Sequence, residues 1–411
     1  MTALPGNRPA PISNLPGRLQ RTSDWLIRNV LPLGWLVLLT GMFWVGERPH
    51  YHKLYYTLLA APALLAVVLH PRYLRTMFSS PLLVVFALFS VYTLTTLAWS
   101  STDDPFGSLV KRPLYVLLLF VSAGLLALRA PERLMISLRV SAYIAALAAL
   151  ISLGLYLHRG EYAYLRFSGY GALYNPLLTA HVYGVFMAFW VASWIVNRNP
   201  FDPPALLSLA VLGALTIATG SRTPLMALVA CSAWLMIVTW NKRSLALLVT
   251  GILAGGLLLA LYPEAITSRG MSARPEIWEK SWQLILDAPW LGHGYDAPLK
   301  IWIATLNYTM ADPHNMLLAV LYYCGAIGLV LWLLLYGLAF GFAWRNRKDP
   351  LVAIISSLLV FGLAASMTEG GSFISRPKEH WFLIWIPMAL MFAAEIKKKT
   401  EKQPHELVEK V

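Results

Sequence analysis

A histidine and several arginines stand at the edges of long apolar runs, where charge is costly unless it is used. Asp312-Pro313-His314-Asn315 comes immediately before the apolar run that opens at Met316. In that position Asp312 reads as an N-cap and Pro313 as the first helical residue, which puts His314 in the first turn. The positive end of a helix disfavours an imidazolium, so His314 is expected to stay neutral near neutral pH and to serve as a general base. Arg222 lies in Thr219-Gly220-Ser221-Arg222-Thr223-Pro224, a short turn between two apolar runs, and Arg274 opens a helical stretch beginning at Pro275. A guanidinium presents forked donors that fit phosphate oxygens and it never loses its charge. Such a cluster suits a lipid-linked diphosphate, with binding and leaving-group stabilisation coming together. Arg166, in a Tyr-rich segment, and Arg269 are further candidates for this cradle, or for phosphates on a second substrate.

Other polar residues near these runs read differently. His293, between Gly292 and Gly294, reads as part of a tight turn whose backbone matters more than the imidazole. His181 and Arg139 fall inside apolar runs, where hydrogen bonding between helices is the commoner role. Glu369, Arg376, Lys378 and Glu379 flank the last run on its outer side; they either contact an acceptor or face water.

The elements that must position these residues follow from composition. The 411-residue chain is 58% hydrophobic and 13% charged, where globular chains carry about 25% charge, so a soluble fold is excluded. A bilayer core of ~30 Å takes roughly 20 apolar residues per helical crossing. Apolar runs lie near 25–46, 55–70, 77–99, 113–128, 135–157, 178–196, 204–219, 224–240, 244–262, 316–344, 352–367 and 380–395. The expected fold is therefore all-α: a polytopic integral membrane protein of about twelve transmembrane helices forming one domain over 1–411. Met1 to Asp24 lacks the apolar core of a cleavable signal peptide. Cys231 and Cys324, both within apolar runs, read as buried free thiols.

Lys and Arg placement puts both termini in the cytoplasm of a bacterial inner-membrane protein, with Lys397-Lys398-Lys399 meeting anionic lipid there. Two outward connections are long, His158 to Leu177 and Pro263 to Asn315. The second, between the ninth and tenth helices, is the candidate functional element on the periplasmic side. Within it, Pro275 to Asp287 reads as an amphipathic helix on the membrane surface, with Trp278, Trp282 and Ile285 on one face.

Together these pieces resemble the O-antigen ligase family, membrane glycosyltransferases that also include O-antigen polymerases and oligosaccharyltransferases acting on pilin. The matching residues are Ser221-Arg222-Thr223-Pro224, Arg274 with Trp278 four residues on, Pro289-Trp290-Leu291-Gly292-His293-Gly294, and His314-Asn315 ahead of Gly325-Ala326-Ile327-Gly328. The resemblance implies transfer of a preassembled glycan from undecaprenyl diphosphate to lipid A-core oligosaccharide in the periplasm, without nucleotide sugar, cofactor or metal. By it, His314 matches the candidate catalytic base, and Arg222 and Arg274 match diphosphate-contacting arginines; Arg166 and Arg269 match less well. The reaction is then one inverting displacement: an acceptor hydroxyl, deprotonated by His314, attacks the anomeric carbon as the diphosphate leaves. Nothing resembles the paired carboxylates of a covalent glycosidase, and Asp103-Asp104 is not a spaced metal motif. Expected partners are the lipid-linked O-antigen, lipid A-core and membrane lipids, with no nucleic acid. An O-antigen polymerase or a protein oligosaccharyltransferase is the alternative within the class. A transporter of an anionic lipid or solute fits less well, because the polar groups gather at one face and no pair of broken helices marks a central site.

Overall fold

A long apolar run becomes a helix because all its backbone groups are then satisfied within the segment. The computed structural model describes residues 15–160, 166–197, 199, 201–261, 273–304 and 306–402. Among these the helices are α1 (Gly17–Phe43), α2 (Arg48–Leu69), α3 (Pro81–Ala98), α4 (Phe106–Arg129), α5 (Pro131–His158) and α6 (Pro176–Val196). They continue with α7 (Pro203–Ala218), α8 (Thr223–Thr239), α9 (Lys242–Leu261) and α10 (Arg274–Leu286), then α11 (Met316–Arg345), α12 (Pro350–Ser366) and α13 (Glu379–Lys402). Each of the twelve apolar runs is helical over most of its described residues. Eight of the described helices, α1 to α6, α11 and α13, are long and apolar enough to cross a membrane. At 16, 17 and 17 residues, α7, α8 and α12 are shorter.

The clearest boundary shifts occur where charges are paired. The run expected from 113 starts at Phe106, because Arg112 is neutralised by Asp104 at 2.5 Å and Asp296 at 2.7 Å. The run expected from 55 starts at Arg48, which pairs with Glu379 at 2.6 Å. Proline sits at the first turn of α3, α5, α6, α7, α8, α10 and α12, where its missing N–H costs nothing.

At the centre lies α13, enclosed by its neighbours; it packs along α4 and α12, while α8 packs on α12, α6 on α7 and α12, and α3 on α11. Trp385 stands edge-on to Phe86 and to Trp332, and its indole N–H donates to the Phe373 carbonyl at 2.7 Å. Cys231 and Cys324 are buried and free.

The long segment before α11 is bound to that helix through a break in it. At Gly325 the backbone adopts φ 62°, ψ −168°, a region open essentially only to glycine. The interrupted ladder is completed from outside: the N–H groups of His293 and Gly294 donate to the Tyr322 and Tyr323 carbonyls, and those of Ala326 and Ile327 to the Pro289 and Trp290 carbonyls. Gly292, at φ 73°, lies so close that a Cβ there would stand 2.5 Å from the Gly325 nitrogen. The Pro289–Gly294 and Gly325–Gly328 stretches are thus one structural joint. A Cβ on Gly325 would also run into the Trp290 carbonyl. We expect Gly325→Ala to destabilise the protein by more than the ~1–3 kcal/mol of backbone strain alone, and to lower the thermal midpoint in detergent. Gly337→Ala, on the same helix with open space around it, is the comparison; equal midpoints for the two would refute the joint.

Beyond the helices, Ile301–Ile303 (β1) and Tyr308–Met310 (β2) form an antiparallel hairpin, an addition to the all-α expectation. The amphipathic helix exists as α10, but its packed face is Ile277, Ser281 and Ile285, set against Tyr322 and β1. Trp282, placed on the apolar face by its spacing, is instead half exposed, together with Leu286, Trp290 and Leu291. The neighbour that decided this is α11, which periodicity within α10 does not reveal.

Candidate active site

The turn ahead of α11 is built by two side-chain caps. Asn315, rather than Asp312, is the N-cap: its Oδ1 accepts from the Leu317 and Leu318 N–H groups at 2.9 and 3.2 Å, and its Nδ2 donates to the Met367 carbonyl at 3.0 Å. Asp312 is used one step earlier. Its Oδ1 accepts from the His314 N–H at 2.7 Å and its Oδ2 from the Gly371 N–H at 3.0 Å, tying the turn to the segment after α12. Pro313 and His314 therefore lie outside the helix. His314 holds φ 50°, a left-handed conformation that non-glycine side chains take only when surroundings impose it.

Those surroundings aim the imidazole at Glu369. His314 Nδ1 is 3.5 Å from Glu369 Oε1, and Arg274 Nη2 is 3.5 Å from Glu369 Oε2. Arg274 Nε also donates to the Thr368 carbonyl at 2.9 Å. The Glu369 side chain is only 9% exposed, against 25% for His314 and 27% for Arg274. A buried carboxylate between a guanidinium and an imidazole has its charge compensated on both sides. His314 thus lacks the first-turn position from which a helix end was expected to lower its pKa. The facing Glu369 carboxylate raises its pKa above the ordinary histidine value, outweighing the opposing effects of burial and Arg274. A carboxylate facing Nδ1 favours a proton on that nitrogen, which leaves Nε2 as the accepting one.

Arg222 joins the same neighbourhood by its chain neighbour. It is the exposed residue immediately before α8, and Thr223 meets the Thr368 hydroxyl at 3.0 Å. Arg166 braces that turn, with Nε on the Thr219 carbonyl at 2.7 Å and Nη2 on Ser221 Oγ at 3.0 Å. Arg269 lies outside the described residues. The short segment after α12 thus meets the α8 start, Arg274 and the His314 turn. Sequence reasoning left Glu369 undecided between substrate and water; its one available signal was an acidic residue within a short, glycine-rich stretch between two apolar runs.

The remaining candidates separate clearly. His293 stacks on Tyr322 at 4.4 Å and its Nε2 lies 2.8 Å from the Leu284 carbonyl, a structural role. His181 is fully buried in α6, yet neither ring nitrogen has a hydrogen-bond partner among the described residues, so the expected bond between helices is not made. His380, on the first turn of α13, is likewise buried and unbonded, packed so close that a Cβ on Gly370 would stand 2.6 Å from it. No group of three or more His, Cys, Asp or Glu side chains suited to a metal ion occurs among the described residues.

A bundle of membrane-length helices carrying a His–Glu–Arg cluster defines an integral membrane protein. A family model described as O-Antigen ligase matches residues 205–333, which carry Arg222, Arg274 and His314. Over 381 residues, 92% of this chain and 94% of the relative, the sequence is 54% identical to the O-antigen ligase of Pseudomonas aeruginosa. The chain belongs to the O-antigen ligase family.

Proposed function

We propose that this protein is a membrane glycosyltransferase that moves O-antigen polysaccharide from undecaprenyl diphosphate onto lipid A-core oligosaccharide. The observation that carries the reading is the convergence of His314, Glu369, Arg274 and the Arg222 turn on one short segment. His314 Nε2 takes the proton of an acceptor hydroxyl while Glu369 holds the imidazolium that forms. The hydroxyl oxygen attacks the anomeric carbon from the face opposite the diphosphate, giving inversion. Arg222 and Arg274 receive the departing diphosphate, with Arg166 fixing the turn that carries Arg222 and Arg269 a further contact. A diphosphate beside Arg274 also offsets the cation that opposes His314 protonation, so donor binding makes the base stronger. In this reading the donor enters sideways between helices, about twelve crossings leave both termini in the cytoplasm, and the site opens to the periplasm of an inner-membrane protein. The chemistry requires no metal.

The test is reconstitution of the purified protein in liposomes with lipid-linked glycan and purified lipid A-core. Joined product is expected. Transfer only to a second lipid-linked glycan, or only to a protein acceptor, would replace the ligase reading by the polymerase or protein-directed alternative. In the same assay Arg222→Lys and Arg274→Lys are each expected to raise the donor KM and lower kcat/KM at least about tenfold, because an ammonium cannot make a two-pronged contact. Unchanged donor kinetics in both would rule out the arginine cradle.

A further inference from the structure

Beside the His314 turn lies a cavity of about 600 Å³ that the reaction as described leaves unused. Gly371 joins the two places: it lines the cavity, and its N–H donates to the Asp312 carboxylate that also holds His314. Four cations line the cavity, Arg48, Arg112, Arg376 and Lys378. Two are already answered: Arg48 by Glu379, and Arg112 by Asp104 and Asp296. Arg376 and Lys378 have no carboxylate within ion-pair distance among the described residues; Arg376 reaches only the Ser108 hydroxyl at 3.3 Å. Desolvation lowers the Lys378 pKa to about 8 even though Glu379 and Asp312 act to raise it, so an anion in the cavity would favour its charged form. The aromatic residues Tyr295, Tyr323 and Phe373 share the wall, and aromatic surface beside polar groups suits a sugar ring. A volume of this size lies in the range of small-ligand sites.

We propose that this cavity binds a phosphate-bearing sugar of the acceptor glycan, with Arg376 and Lys378 as its phosphate contacts. The inference rests on the ligase reading for its acceptor but not for its chemistry. Two cations outside any ion pair among the described residues match a phosphomonoester, whose charge near neutral pH is about −1.5 to −2, better than the single charge of a carboxylate. The site orients the acceptor: anchoring a phosphate there leaves a neighbouring hydroxyl beyond Gly371 in reach of His314. None of Arg166, Arg222 and Arg274 lines it.

The experiment compares the wild type with Arg376→Gln/Lys378→Gln. Transfer is measured with lipid A-core as isolated and with the same acceptor after chemical removal of its core phosphates. The double variant is expected to raise the KM for the phosphorylated acceptor about tenfold or more, with kcat and the donor KM little changed. Dephosphorylation should raise the wild-type KM to the same level and cost the variant nothing further. Arg376→Lys/Lys378→Arg, which keeps both charges, should restore most of the affinity. An equal KM for wild type and double variant on phosphorylated acceptor would overturn the proposal. So would a loss that persists undiminished on the dephosphorylated one, or an effect confined to the donor KM, which would assign the cations to the donor diphosphate. Equilibrium binding of soluble core oligosaccharide, released from lipid A by mild acid, uses no catalysis. Phosphate-dependent binding lost in the double variant supports the site even if no ligation occurs, and absence of such binding rejects it even if ligation does.

Discussion

Replacing His314 by asparagine is expected to lower the rate of glycan transfer by about 10²–10⁴-fold, the usual worth of a positioned general base. Asparagine is the informative choice. His314 sits at φ 50°, and asparagine tolerates the left-handed region, whereas alanine adds about 1–2 kcal/mol of backbone strain to the loss of the base. The helix start depends on Asn315 and the turn on Asp312, neither of which is altered. The variant should therefore insert, keep its thermal midpoint in detergent and bind lipid-linked donor. Transfer within a few fold of wild type, with product confirmed by mass, would remove His314 from its role.

The second large effect is at Glu369. Glu369→Gln removes the charge facing His314 and Arg274 while keeping the shape, and we expect kcat/KM to fall at least about tenfold. The pH profile separates this from simple structural damage. In the wild type the carboxylate holds the His314 pKa above the ordinary value, and a base must be neutral to act. The acidic limb of the rate profile should thus lie above the pH of an ordinary histidine and move to lower pH in Glu369→Gln. Stability follows the opposite course. A folded-state pKa raised above the unfolded one contributes stability that is complete below the unfolded value and is lost as pH rises through the folded value. The wild type should accordingly lose a small part of its stability over the pH interval in which it gains activity, and the variant should not. An acidic limb at the same pH in both proteins would disconnect Glu369 from the base.

Much of this protein is legible without coordinates. The spacing of apolar runs decides that the chain is helical, because a helix satisfies its own backbone and needs no partner to do so. The residue types at Arg222, Arg274 and His314 suggest an anion and a base, because a guanidinium fits phosphate oxygens and an imidazole changes charge near neutral pH. Proline positions mark where most helices begin.

Tertiary structure decided everything that depends on which elements meet. Asn315 rather than Asp312 caps α11, since Asp312 is drawn to the Gly371 N–H across 59 residues of sequence. The protonation tendency of His314 reversed, because the residue lies outside the helix and faces a carboxylate far along the chain. Trp282 faces outward and Ile277 inward on α10, because α11 and the hairpin cover one side of it. Gly325 and Gly292 look like separate motif glycines, and only packing shows them as one joint. Local sequence fixes what a segment satisfies by itself, whereas charge compensation and burial are sums over neighbours that the fold alone selects.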